Sequence, residues 1–127
     1  MAEVDWDDVR RLALALPDTD ETVSRGSAFW RVHGKGFVWG RPLRGTDLAA
    51  LGLKEQPGPV LGAKVDDEAT KLALVEGEPE VFFTTPHFDG YPAVLVWLQA
   101  VSLPRLGEVV EDAWHATAPP AARRHER

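Results

Sequence analysis

The chain has 127 residues, 44% of them hydrophobic and 27% charged, a composition suited to one globular domain burying roughly two-thirds of its unfolded surface. It contains no cysteine, which excludes disulfides, thiol catalysis and Cys-ligated zinc. The formal net charge of −6 weighs against a polyanionic partner, but residues 22–46 hold Arg25, Arg31, Lys35, Arg41 and Arg44 and no Asp or Glu.

The opening MAEVDWDDVR is acidic and polar, unlike a secretory signal. The longest fully apolar run, Ala93 to Leu98, is far too short to cross a bilayer, so a cytoplasmic protein without a membrane partner is expected. Asp5 is a good N-cap for a first helix, with Asp7 and Asp8 near its positive end. Val9, Leu12, Ala13 and Leu16 form its apolar stripe, and Pro17 stops it. LPDTDETVSRGS reads as turn-rich and leads into a strand, AFWRV. The pair Gly34-Lys35 then suits a two-residue hairpin into GFVWGR.

Residues 41–59 read as a long loop in which Thr46 or Asp47 is placed to cap a short helical turn closed by Gly52. PVLGAKV gives a third strand. Asp66 is expected to cap a second helix whose Ala69, Leu72 and Ala73 share a face. EVFFTT and AVLVWL give two more strands, the latter apolar on both faces and therefore central. Ser102 caps a last helix with Leu103, Leu106, Val110 and Ala113 or Trp114 inward. The order α-β-β-β-α-β-β-α implies an α+β two-layer domain over residues 1–118, with a mainly antiparallel five-stranded sheet and helices packed on one face. Residues 119–127 read as a flexible basic tail.

Catalytic patterns are absent. His33, His87, His115 and His125 show no helical ligand spacing, and His87 with Asp89 lacks a third metal ligand. Ser24, Ser27 and Ser102 lie in no G-x-S-x-G elbow, and Gly34-Lys35-Gly36 lacks the spacing of a phosphate loop. A non-enzyme without metal or cofactor is expected. FWRVHGKGFVWGR is more informative, because it interleaves aromatic rings with Arg31, Lys35 and Arg41, as a nucleic-acid surface requires. Alternation puts Trp30 and Val32 on one face and Phe29 and Arg31 on the other, with Phe37, Trp39 and Arg41 sharing a face. In TTPHFDGYP, Pro86 ends a strand, Asp89-Gly90 favours a turn, and Pro92 starts the next strand where no ladder donor is needed.

PEVFFTTPHFDGYPAVLVWL, followed by EDAWHATAP, resembles the MmcQ/YjbR-like family, as does LPDTDETVSRGSAFWRVHGKGFVWGRPL with the family's N-terminal half. The segment Thr85, Pro86, His87, Phe88, Asp89, Gly90, Tyr91 and Pro92 is the most specific part of the likeness. The resemblance implies a two-layer fold shared with secretion-chaperone-like and CyaY-like domains. It also implies a DNA-binding role through a sheet-and-hairpin arrangement like that of a double-wing binder. Where the family often has V-L-V-R-L, this chain has Trp97 in place of the Arg. The expectation is weak, salt-sensitive DNA binding by Arg25, Arg31, Lys35, Arg41 and Arg44, with Trp39 or Trp97 adding contact area. The alternative is a protein partner docked on an aromatic sheet surface, as in an adaptor or chaperone-like module.

Overall fold

Two left-handed residues in succession set each of the first two hairpins. The computed structural model describes residues 3–120, so residues 121–127 of the expected basic tail lie outside the described residues. Helix α1 (Trp6–Leu14) starts at Asp5 in a reciprocal box: Asp8 N–H donates to Asp5 at 3.1 Å and Asp5 N–H to Asp8 at 3.0 Å. Strands β1 (Thr19–Ser24), β2 (Ser27–Val32) and β3 (Lys35–Gly40) follow. Arg25-Gly26 (φ 54° and 82°) joins the first pair and His33-Gly34 (φ 50° and 78°) the second. Both turns have the φ pattern of type I′, whose twist matches the strands and which favours Gly at its second position. The β2–β3 turn therefore sits one residue earlier than the expected Gly34-Lys35.

Helix α2 (Gly45–Leu51) ends at left-handed Gly52, and β4 (Val60–Lys64) leads to α3 (Glu68–Gly77). Asp67, rather than Asp66, caps α3. Its inward face is Lys71, Leu74 and Val75, while Ala69, Leu72 and Ala73 are exposed, so the expected stripe lies on the outer face. Then come β5 (Phe82–Phe83), a 3-10 turn (Pro86–Phe88), β6 (Ala93–Trp97) and α4 (Leu103–Thr117), capped by Ser102.

The sheet is antiparallel in the order β1-β2-β3-β4-β6-β5. The α+β class is as expected, with six strands in place of five. The added strand is β1, an edge strand of polar residues without the apolar alternation that marks a half-buried strand. On one face, α1, α3 and α4 cover the main core, including Trp30, Val32, Leu61, Val96, Leu106 and Trp114. On the other, the 3-10 turn and α2 close a smaller core of Val60, Phe83, Phe88, Ala93 and Leu95, so the helices are divided between the two faces.

A bulge sets the relation between these faces. Trp30 pairs with Val38 and Arg31 with Gly36, which leaves Phe37 as an extra residue. A bulge lets two consecutive residues face one partner. Phe37 and Val38 accordingly both enter the main core. This corrects the expectation that Phe37 and Trp39 share a face. Across the opposite face, Thr22, Phe29, Trp39, Gly62, Leu95 and Phe83 stand in register through all six strands. Gly62 is required there: a Cβ would stand 2.5 Å from Cε2 and Nε1 of the Trp39 indole. Replacing Gly62→Ala is expected to destabilise the fold by about 1–3 kcal/mol through overpacking, read by urea denaturation. A loss under about 0.5 kcal/mol would show that the indole does not need the space.

Candidate functional site

The row of Phe29 and Trp39 forms the floor of a cleft of about 720 Å³. Five separate segments build its walls. The β1–β2 turn contributes Arg25, the start of β3 contributes Lys35, and the chain from β3 into α2 contributes Arg41 and Arg44. Lys64 stands at the end of β4, and the PHFDGYP turn supplies His87, Phe88 and Tyr91. Among the described residues, no Asp or Glu lines the cleft.

The basic window and the TPHFDGYP segment, far apart in sequence, therefore meet at one surface. Two expected residues do not join them. Arg31 is held by Asp20 on the neighbouring strand through two bonds of 2.9 and 3.0 Å. Trp97 stacks on Phe83, with centroids 4.1 Å apart and planes at 13°. Within the turn, Thr85, Pro86, Asp89, Gly90 and Pro92 do not line the cleft. They shape it: the Phe88 and Asp89 amides donate to the Thr85 and Pro86 carbonyls, and Gly90 takes φ 77°.

Buried charge holds the walls. The Arg41 guanidinium donates to Asp47 at 3.0 Å and to the Pro42 carbonyl, and it lies over the Phe88 ring at 5.2 Å. Asp47 also accepts the Arg44 amide at 2.9 Å, which ties the start of α2 to the same pair. Burial acts to raise the Asp47 carboxyl. The Arg44 amide, the nearby Thr85 hydroxyl and Arg41 outweigh that effect and hold it below the ordinary Asp value. The Thr85 hydroxyl makes no hydrogen bond of good geometry, so its part is that of a close dipole. Gln56 braces the preceding chain, accepting the Leu43 amide at 2.7 Å.

From the helix side, the buried Lys71 donates to the Phe88 carbonyl and, at 3.1 Å, to the Tyr91 carbonyl. It clamps both ends of the PHFDGYP turn. Lys64 sits over the Tyr91 ring at 4.9 Å. Sequence reasoning missed both lysines. Lys71 looks like an ordinary surface residue of an amphipathic helix, and Lys64 reaches Tyr91 only through the pairing of Lys64 with Ala93.

Ion pairing separates the remaining cations. Among the described residues, Arg10, Arg11, Arg31, Arg41, Lys71 and Arg105 each face a carboxylate. Arg25, Lys35, Arg44, Lys54 and Lys64 face none, and all of these except Lys54 line the cleft. No helix among the described residues is long and apolar enough to cross a membrane.

An α+β protein with a basic and aromatic cleft on the sheet, free of carboxylates among the described residues, is the class these features define. Residues 14–116 match the YjbR family model, and the chain belongs to that family. It is 46% identical over 117 residues to uncharacterised proteins of Mycobacterium tuberculosis and Mycobacterium bovis, covering 90% of this chain and 88% of theirs. Its fold is similar to the crystal structure of a Deinococcus radiodurans protein with a DUF419 domain. That likeness has a TM-score of 0.66 at 21% identity and spans 96% of this chain and 87% of the other.

The Asp47–Arg41 pair generates a pH prediction. With its pKa lowered on folding, Asp47 stabilises the fold fully above its unfolded value, near pH ~3.9, and loses that contribution as pH falls through the folded value. Asp47→Asn, which leaves Arg41 buried without its counter-charge, is expected to cost about 3 kcal/mol at neutral pH. In urea denaturation across pH, the gap between the two proteins is expected to narrow below about pH 4. A constant gap would exclude the ionised carboxylate as its source.

Proposed function

We propose that the protein is a non-enzymatic DNA-binding protein of the YjbR type and that the cleft is its contact surface. The observation that carries this reading is the segregation of charge. Elsewhere on the described surface Arg side chains are neutralised by neighbouring carboxylates, whereas Arg25, Lys35, Arg44 and Lys64 converge without one. Unpaired cations around a hollow attract an anion and raise its local concentration, even on a protein whose net charge is −6. Phosphates are bound in this way without base reading, so the affinity is low and falls steeply with salt.

Arg41 has a different part from the one expected of it. Its charge is committed to Asp47, so it positions the wall and leaves phosphate contact to the four unpaired cations of the cleft. A protein-docking role calls for a contiguous apolar patch. The large exposed apolar side chains, Leu14, Val23, Leu72, Tyr91 and Leu103, sit on separate elements.

Fluorescence anisotropy of labelled DNA, duplex and single-stranded, at two salt concentrations tests the proposal. The variant Lys35→Glu/Arg44→Glu/Lys64→Glu is expected to lose binding while keeping its fold by circular dichroism. Single replacements of these residues by Gln should each flatten the salt slope by about one. Arg31→Gln, outside the cleft, is expected to leave DNA binding unchanged. Absence of binding to both forms at low salt would remove DNA as the partner.

A further inference from the structure

From the cleft's shape and floor we infer that the DNA it takes is single-stranded, with one unstacked base laid on Trp39 and the flanking phosphates held by Arg25, Lys35, Arg44 and Lys64. This rests on the DNA-binding reading above and narrows its ligand.

The volume comes first. A hollow of about 720 Å³ is of the size that encloses a small ligand, as a nucleotide unit is. A duplex keeps its bases stacked inside and offers a hollow only its backbone, so the interior of the cleft would stay unfilled. A single strand can turn a base inward and leave its phosphates at the rim.

The floor is built for such a base. Trp39 is half-buried, with its indole laid across Gly62, where the missing side chain lets one side of the ring rest on the sheet backbone. The same residue lines the cleft, with Phe29 beside it at 6.2 Å between centroids and Gly36 under the Phe29 ring. Tyr91 lines the hollow from the TPHFDGYP wall, 43% exposed, and Lys64 lies over its ring. Aromatic platforms among cations are how proteins bind single strands without reading sequence, because every base has a face that stacks.

The walls are fixed before any ligand arrives. Lys71 clamps the turn that holds Tyr91, and the Asp47–Arg41 pair holds the segment carrying Arg44. A preformed site loses less conformational entropy when it binds.

The test titrates the full chain with a short oligodeoxythymidylate, a hairpin duplex of matching charge, and thymidine monophosphate, each at low salt. Tryptophan fluorescence and anisotropy are followed together. The expected result is at least about fivefold tighter binding to the single strand than to the duplex, with Trp quenching on the single strand alone. Trp39→Leu is expected to weaken single-strand binding by about 5- to 100-fold and to leave duplex binding unchanged. Should Trp39→Leu not fold, Trp39→Phe decides: the strand still binds, and the quenching disappears with the indole.

Equal affinity for strand and duplex, or quenching that persists in Trp39→Phe, would overturn the inference while leaving phosphate binding by the cleft intact. Binding of thymidine monophosphate as tight as that of the strand would overturn the polymeric ligand. Failure of both DNA forms to bind at low salt would overturn this inference together with the DNA reading itself.

Discussion

Arg41 leaves β3 as a largely buried cation, and the way its charge is satisfied shapes the second face of the sheet. Its side chain is 11% exposed and that of Asp47 3%, so neither could stay charged there at low cost without the other. The pair does more than cancel charge. Asp47 lies in the first turn of α2 and also accepts the Arg44 amide, so the helix starts where Arg41 holds its carboxylate. Arg41 reaches Phe88 across the same space and sets the distance between the β3 exit and the PHFDGYP turn. The cleft is the room left between them.

Lys71 applies the same logic from the opposite side. A lysine with 1% exposure needs acceptors, and it finds two carbonyls of one turn. The turn in exchange has carbonyls that need a donor. Two buried cations, one on each side, thus fix a segment that has only a short 3-10 turn of its own. Rigid walls around free surface cations are a consistent design for a site that holds an anion by position more than by contact area.

Legibility followed the range of the interaction. The caps of α1 and α4 at Asp5 and Ser102 were readable because a cap bonds to a residue three positions away. The TPHFDGYP segment marked the family because its prolines and glycine meet local backbone demands. Strand β1 was unreadable because its burial pattern is that of a polar edge. Without β1, nothing in the sequence places Asp20 opposite Arg31, and Arg31 reads as a free cation. The bulge at Phe37 had a similar effect, since strict alternation puts Phe37 beside Trp39 and one inserted residue separates them.

The sequence by itself determined the α+β class, the family and a stretch of five basic residues without an acid. These depend on pattern and local propensity, which a linear chain carries openly. Only the tertiary structure decided which cations are free. Arg31 and Arg41 are neutralised by strand pairing and by burial, while Lys64, outside the basic window, completes the cleft. The reason is that an ion pair is set by distance in space. Asp20 and Asp47 lie 11 and 6 residues from their partners, and neither spacing identifies a pair until the strands and α2 are in place.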